Sequence, residues 1–388
     1  MNAAVKNIGG CLPSPDELVF LKACLSPPEE AKAAWAECLS RRSLDELEGP
    51  SFHLLPLLYR NLQRAEHEGP EMPRLKGLYR RNWYASQKRF HMLENVIAQF
   101  HAHKIPVIVL KGSALSFLYY PDPYTRAMMD GDILVPMAQA EEAVTRLRAQ
   151  GWNCKIPMRR NFTRSMNGNA FTNAAGDELD VHWHLFLENC GEKNRQIFWQ
   201  RAVPMEFRAQ QVLTLSPSDH LFHTCIHGYK WNPVSPMRWV ADASLILEKS
   251  GDAIEWDHIV GQARIRNFSV RLHGALAFLC DSCGLKIPAR VFTDLQAIPV
   301  PKFERFEHRI VTREGKLHQD PLKEFVWPLQ RLWCLHRRLN PDRNAFLRAV
   351  TFPSTLRTEL AASTRLSSFL LRAGFRKLKR LWKSAPAG

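Results

Sequence analysis

The sequence predicts an α+β protein in which a small core, with a mixed sheet and helices, is flanked by N- and C-terminal helical regions. Three observations indicate this architecture. Apolar residues recur at helical spacing through the first part of the chain, β-branched and alternating runs follow over 105–185, and helical spacing returns from Ser216. We therefore predict four regions: an N-terminal helical region over 1–93, the core over 94–215, a C-terminal helical region over 216–363, and a basic amphipathic tail over 364–388.

The N-terminal helices are predicted from the spacing of apolar side chains. Leu54, Leu57, Leu58 and Leu62 recur at intervals typical of one helix face, and the stretch 83–101 continues the same periodicity. The sequence therefore predicts helices, and no strand, before the core.

The core begins with two predicted strands and two predicted helices. The run 105–110 is apolar and rich in β-branched residues, which is typical of a buried strand. A helix is predicted over 114–120, a second strand over 130–135, and a second helix over 138–150. This change of periodicity separates the core from the helices on either side.

The remaining core signals are a turn and an alternating strand. Asn167-Gly168 favours a hairpin turn, and apolar and polar residues alternate strictly over 179–185. The polar residues Asp180, His182 and His184 therefore share one strand face. Ser216 begins a sequence typical of a helix start, which marks the return to helical structure.

Composition and charge narrow the class of protein. Apolar residues make up 45% of the chain and charged residues 23%, as in ordinary globular proteins. The 9 cysteines are an odd number without a disulfide framework, and neither a signal-peptide pattern nor a membrane-length apolar run is visible. The net charge of +15 indicates anionic partners: nucleotides, nucleic acid or an anionic membrane surface. We expect a cytoplasmic protein with reduced thiols.

Three carboxylates form the candidate catalytic centre. Asp130 and Asp132 are two residues apart on a predicted strand, so both side chains are expected on the same face. If the strand over 179–185 lies beside it, Asp180 completes the group. Carboxylates that lie next to one another repel unless a cation lies between them. Mg²⁺ is a suitable cation, because it prefers oxygen ligands. The pattern predicts a site for Mg²⁺, with room for two ions.

A candidate phosphate site lies between the first predicted strand and the following helix. Gly112 permits close approach of a phosphate to the backbone, and Ser113 lies where a helix start offers free N–H groups. Lys111 and Arg126 are expected to add cationic contacts to a triphosphate. Each of these sequence signals is weak evidence for a nucleotide site when taken alone. Their combination in this order along the chain is stronger evidence.

The same segments carry a family resemblance. Together they resemble the uncharacterised bacterial nucleotidyltransferase family of the DNA polymerase β-like nucleotidyltransferase superfamily, over roughly residues 90–285. The segments are Leu110-Lys-Gly-Ser-Ala-Leu115, Tyr120-Pro-Asp-Pro, Arg126-Ala-Met-Met-Asp-Gly-Asp-Ile-Leu-Val135 and Asp180-Val-His-Trp183.

The resemblance implies a polymerase-β-like fold and an enzyme. It implies Mg²⁺-dependent transfer of a nucleoside monophosphate from an NTP such as ATP to an acceptor, which we expect to be a small molecule, a peptide or a glycan precursor. By the same resemblance, Gly112 and Ser113 hold phosphate, Asp130 and Asp132 bind metal, and Asp180 binds metal or accepts the proton of the acceptor.

Two alternative functions remain open from the sequence. One is a catalytically degenerate module that binds nucleotide or a partner protein, although the presence of all three carboxylates argues against it. The other is a nucleotidyltransferase directed to tRNA or other RNA, which the positive charge permits. No recognisable RNA-binding module is present in the sequence, so nucleic acid is the less favoured partner.

Further polar residues lie on two predicted helices after the core. His220, His223 and His227 share one helix face. They are expected to pack in the core, with a role in the acceptor pocket as the next alternative and a metal site as the least favoured one. Arg238 and Asp242 are four residues apart and are expected to form a structural ion pair, with a position of either residue facing the active site as the alternative.

The basic tail over 364–388 has three interpretations. This segment combines an apolar stripe with seven Lys/Arg side chains and no Asp/Glu. A packed terminal helix is favoured over peripheral contact with an anionic membrane, and both are favoured over nucleic-acid binding.

Overall fold

A computed structural model describes residues 10–47, 51–158, 163, 166–186, 196–230 and 236–312. Contacts along the chain separate two compact units, Met1–Arg338 and Leu339–Gly388, and all described residues belong to the first. The predicted tail over 364–388 therefore lies outside the described residues.

The N-terminal region is helical, as predicted. The first helix begins with a capping box, in which the Ser14 side chain accepts the backbone N–H of Glu17 and the Glu17 side chain accepts that of Ser14. The fourth helix has 31 residues and continues the predicted 83–101 pattern in both directions. The helices are α1 (Pro15–Leu25), α2 (Pro28–Arg41), α3 (Leu55–Arg64) and α4 (Met72–Ala102).

The core is a mixed sheet of seven strands within the described part of the chain. Its strand order is β3-β4-β5-β2-β1-β7-β6. β2 is antiparallel to β1 and parallel to β5, and β1 is parallel to β7. The strands are β1 (Ile108–Val109), β2 (Gly131–Leu134), β3 (Asn153–Cys154), β4 (Gly168–Thr172), β5 (Glu178–His182), β6 (Val203–Phe207) and β7 (Gln210–Thr214).

Helices accompany and follow the sheet, and those after Ser216 agree with the predicted pattern. Ser216 caps its helix by accepting the backbone N–H of Asp219. The core helices are α5 (Lys111–Leu118) and α6 (Ala140–Ala149). Those that follow are α7 (Gln196–Gln200), α8 (Pro217–Gly228), α9 (Met237–Ser250), α10 (Trp256–Arg266), α11 (Ser269–Cys283), α12 (Ala289–Gln296) and α13 (Lys302–Val311). None of the described helices is both long and apolar enough to cross a membrane.

The sheet separates two hydrophobic clusters, because successive residues of a strand face opposite sides. Val109 and Ile133 pack in the cluster that contains α4 and α6. Ile108 and Leu134 pack in the cluster that joins the N-terminal helices to α8, α9, α10 and α11. Asp132 alternates with Ile133 and shares its face with Leu134, so its carboxylate lies on the side of the second cluster.

Two sequence predictions about the core differ from the structure. The strand predicted over 105–110 is shorter in the structure, where β1 spans Ile108–Val109. Pro106 contributes to this difference, because it has no backbone N–H to donate to a neighbouring strand. The hairpin turn predicted at Asn167-Gly168 is wrong, because Gly168 is the first residue of β4.

The turn that joins β4 to β5 lies five residues further on. The Asn173 side chain accepts the backbone N–H groups of Ala175 and Asp177 there. Gly168 has a different role: a Cβ at this position would lie 2.6 Å from the carbonyl oxygen of Val181. The glycine thus permits close pairing of β4 with β5.

Candidate active site

The register of two parallel strands places two carboxylates side by side. Asp132 on β2 pairs with Asp180 on β5. Both side chains lie on the same face of the sheet, and His182, two residues beyond Asp180, lies there too. Leu179 and Val181 point to the opposite side, into the hydrophobic core. The adjacency of the two strands, which the sequence argument required, is therefore observed.

Asp130 lies outside the strand on which it was predicted. β2 begins at Gly131, so the same-face argument does not apply to Asp130. Within the described residues, the group whose metal-ligating atoms all lie within 4.8 Å of one another is Asp132, Asp180 and His182. Burial, followed by the charges of Asp132 and Asp180, raises the pKa of Asp130 to about 6. Asp130 therefore interacts electrostatically with Asp132 and Asp180, but it is not one of the three residues whose ligating atoms lie within 4.8 Å of one another.

Lys111 contacts the carboxylate cluster directly. Its Nζ lies 2.5 Å from Oδ1 of Asp132 and 3.4 Å from Nε2 of His182, and Nε2 of His182 lies 3.1 Å from the same Oδ1. The backbone of Lys111 has a positive φ of 45°. A non-glycine residue in this region stores about 1–3 kcal/mol of strain, which the surrounding structure must hold.

The charges of the cluster are unevenly compensated. Burial would raise the pKa of Asp132, but Lys111 and His182 outweigh it and hold that pKa well below the usual range. Burial and the charge of Asp132 raise the pKa of Asp180. Burial would lower the pKa of Lys111, but Asp132 raises it instead. One carboxylate is paired, and the excess negative charge on the other two favours a further cation.

The donor atoms fit a divalent metal ion. Asp132 and Asp180 offer the oxygen ligands that Mg²⁺ prefers, and the ammonium of Lys111 shows that a cation is accommodated against Asp132. His182 adds a nitrogen donor, which sequence reasoning did not include in the site. The sequence did contain a signal that could have identified His182 as a donor. The alternation of apolar and polar residues over 179–185 places His182 on the same strand face as Asp180.

Gly112 packs against Arg126, and neither Gly112 nor Ser113 faces an open surface. A Cβ on Gly112 would lie 2.2 Å from Nη1 of Arg126. Ser113 is almost fully buried at 2% exposure. The glycine therefore makes room for the guanidinium group of Arg126, a residue that lines the nearby pocket.

Arg126 is held by a carboxylate from α9. Its Nε and Nη2 donate to Oδ1 and Oδ2 of Asp242 at 2.7 and 2.8 Å, and the Tyr120 hydroxyl donates to the same Oδ1 at 2.7 Å. The bidentate guanidinium uses both carboxylate oxygens. The expected Arg238–Asp242 ion pair is wrong for this reason: among the described residues, the salt bridge of Asp242 is with Arg126.

A pocket lies beside Lys111, between α5 and the helices α8 and α9. It encloses about 100 Å³. Its charged and polar lining residues include Lys111, Arg126, His223, Thr224, His227 and Arg238. The pocket thus places cationic side chains next to the carboxylate cluster.

The three histidines of α8 have different surroundings. Nε2 of His220 lies 3.0 Å from Oγ1 of Thr214, and its ring packs edge-on against Tyr119. Burial lowers the pKa of His220 to about 4. His223 and His227 line the pocket instead. The shared face predicted from the sequence therefore divides into one packed histidine and two pocket histidines.

Comparisons with known proteins found one matching family and a similar solved structure. The family described as uncharacterised nucleotidyltransferase matches residues 52–281, more than half of the 388-residue chain. A solved structure, an antigenic nucleotidyltransferase-like protein from Paracoccidioides brasiliensis, is similar at 15% identity and a TM-score of 0.34. That match covers 56% of this chain and 97% of the other. No curated protein matches the sequence significantly.

Proposed function

The chain belongs to the uncharacterised nucleotidyltransferase family, and from this premise we propose that it transfers a nucleoside monophosphate from an NTP to an acceptor. The observation that carries the proposal is the β2–β5 register, which sets Asp132 beside Asp180 next to a pocket lined by cations. This combination supplies the two requirements of phosphoryl transfer, which are a metal-binding carboxylate group and neutralisation of phosphate charge.

Asp132 and Asp180 would hold the metal, with His182 as a further donor and Asp130 close enough to add negative charge. We propose Mg²⁺, with two ions when the NTP is bound, because oxygen donors predominate. When bound, the metal neutralises charge on the phosphoryl oxygens. The raised pKa values of Asp130 and Asp180 support this assignment, since a cation would relieve the repulsion that causes them.

The remaining chemistry is positioning and proton transfer. An acceptor oxygen would attack the α-phosphorus, the bond from that phosphorus to the bridging oxygen would break, and pyrophosphate would leave. Asp180, whose pKa is raised, suits the removal of the acceptor's proton. We assign neutralisation of the leaving pyrophosphate to Lys111 and Arg126, which both line the adjacent pocket. We propose a small molecule, a peptide or a glycan precursor as the acceptor.

One observation favours a degenerate binding module as the second candidate. Lys111 already occupies an oxygen of Asp132 that a metal would need. If this ion pair is permanent, the chain binds nucleotide without turnover. In the enzyme, by contrast, the ammonium must leave Asp132 when metal binds.

The test is the melting temperature of the purified full chain against a panel of NTPs, with and without Mg²⁺. A ligand at about 100 times its dissociation constant adds about 2.7 kcal/mol of stability, which is readily measured. We expect a Mg²⁺-dependent shift with one NTP that Asp132→Asn abolishes, and release of pyrophosphate once an acceptor is supplied. An NTP shift that is independent of Mg²⁺ and survives Asp132→Asn would favour the degenerate module.

A further inference from the structure

Arg238 is the second residue of α9, and its positive charge has no paired carboxylate among the described residues. It lines the pocket, is half-buried, and forms no hydrogen bond or ion pair with any other residue in the described part of the chain. Burial, followed by the charge of Arg126, lowers its pKa. A desolvated cation held near a second cation is unfavourable unless an anion compensates it.

The charges that line the pocket do not balance. Lys111, Arg126 and Arg238 contribute three positive charges, and Asp242 contributes one negative charge. Lys111 is paired with Asp132 and Arg126 with Asp242, so these pairs leave Arg238 as the unmatched charge. The pocket therefore attracts an anion.

His223 provides an independent indication of a ligand. Its side chain is only 4% exposed and lines the pocket, yet it makes no hydrogen bond within the described residues. Its ring contacts Phe186 at a centroid distance of 5.5 Å. Buried polar groups are normally hydrogen-bonded, so an unpaired imidazole facing a pocket indicates a partner that enters from outside. Burial, followed by the charge of Lys111, holds the pKa of His223 well below its ordinary value, so the ring is neutral and offers one N–H donor.

The size of the pocket limits the ligand. The pocket volume of about 100 Å³ is several times the roughly 10–15 Å³ that a cavity needs to hold one water molecule. This space suits a single phosphate group. Thr224, which also lines the pocket, can add a hydroxyl donor.

We propose that the pocket is a phosphate-binding subsite in which Arg238 and His223 contact a phosphate group directly. This inference rests on the proposed function and extends it to α8 and α9, outside the Lys111–Ser113 segment. The phosphate belongs either to the terminal part of the NTP or to a phosphorylated acceptor, because both present the same chemistry to these side chains.

The experiment is calorimetric titration of the full chain with inorganic pyrophosphate in EDTA, so that no metal contributes. We expect Arg238→Gln to weaken binding by about tenfold or more, since one charge-assisted contact is lost, and His223→Asn to weaken it by a smaller factor. Arg290→Gln is the matched control, because Arg290 pairs with Asp257 on an exposed surface and does not line the pocket, and it should leave binding unchanged. Melting temperatures of all variants establish that they are folded.

Competition identifies the source of the phosphate. If NTP displaces pyrophosphate, the subsite holds the NTP's terminal phosphates; if both bind together and pyrophosphate still depends on Arg238, it holds a phosphorylated acceptor. Pyrophosphate affinity that is absent, or equal in the native chain and in folded Arg238→Gln, would overturn the proposal. Failure of the nucleotidyl transfer itself is separate, since Asp132→Asn tests transfer and leaves the Arg238-dependent binding in EDTA to be measured.

Discussion

Arg126 binds both carboxylate oxygens of Asp242, a residue 116 positions further along the chain. Both side chains are buried, with side-chain exposures of 8% and 7%. The pair ties the segment that precedes β2 to helix α9. It therefore connects the carboxylate-bearing part of the core to the helices that complete the pocket.

Removing one partner of this pair should be strongly destabilising. In Asp242→Asn the buried guanidinium of Arg126 loses its counter-charge, which typically costs about 3–5 kcal/mol of unfolding free energy. Urea denaturation measures this loss. The control is Asp257→Asn in the exposed pair with Arg290, where a change below about 1 kcal/mol is expected. Equal losses in the two variants would show that Arg126 tolerates the absence of Asp242.

Gly112 should not accept a side chain. In Gly112→Ala the new Cβ would lie 2.2 Å from Nη1 of Arg126 and 2.8 Å from Cγ of Met128. Because Asp242 holds the guanidinium in place, we expect a loss of about 1–3 kcal/mol by urea denaturation. Gly77→Ala in α4 meets no atom within 4 Å and should instead stabilise the chain by about 0.5–1 kcal/mol. A neutral result at Gly112 would contradict the close packing described.

His182 should contribute a nitrogen ligand to a bound metal. Mn²⁺ can replace Mg²⁺ as a spectroscopic probe, because it accepts both carboxylate and imidazole donors. We expect pulsed electron paramagnetic resonance of Mn²⁺ on the native chain to show coupling to ¹⁴N, and His182→Gln to lose it. Lys111→Met, which removes the cation that competes for Asp132, should raise Mn²⁺ affinity. Persistence of the ¹⁴N coupling in His182→Gln would remove His182 from the ligand set.

Stability should depend on pH through His220. Its pKa in the folded chain is about 4, below the ordinary value of 6.5, because the ring is buried. Unfolding therefore takes up a proton between these values, so this contribution to stability is complete above about pH 6.5 and is lost as the pH falls towards 4. The slope contributed is at most about 1.4 kcal/mol per pH unit.

The measurement is urea denaturation between pH 7 and pH 4.5 for the native chain and His220→Gln. We expect a shallower pH dependence in the variant. His91→Gln replaces an exposed histidine of α4 and serves as the control. Parallel curves for the native chain and His220→Gln would contradict the assignment.

Local sequence patterns predicted those strands and helix ends that are determined by residues close together in the sequence. Alternation over 179–185 predicted the strand that carries Asp180, and the Ser216 cap predicted the start of α8. The family resemblance is confirmed by the match over 52–281. These features follow from strand period, capping and motif order, which are visible without tertiary contacts.

Features that depend on tertiary packing were not predictable in the same way. The β6–β7 hairpin was not identified, and Asp130 was placed on β2 because alternation does not reveal where a strand begins. The partner of Asp242 is distant in sequence, so helical spacing suggested Arg238 instead. The phosphate contacts predicted for Lys111, Gly112, Ser113 and Arg126 stay predictions.

The order of synthesis gives the Arg126–Asp242 pair a further significance. During translation the residues of β2 and β5, with their carboxylates, are synthesised before those of α9. Chains generally fold from the N-terminal side as they are synthesised. Until residue 242 has emerged, Arg126 and Tyr120 lack the acceptor they share, and Tyr120 lacks the Lys249 contact to its carbonyl oxygen. A nascent chain that ends at residue 215 therefore contains Asp130, Asp132 and Asp180 without the complete site. Completion of α9 during translation is thus the step at which the Arg126–Asp242 pair and the pocket beside the candidate site can form.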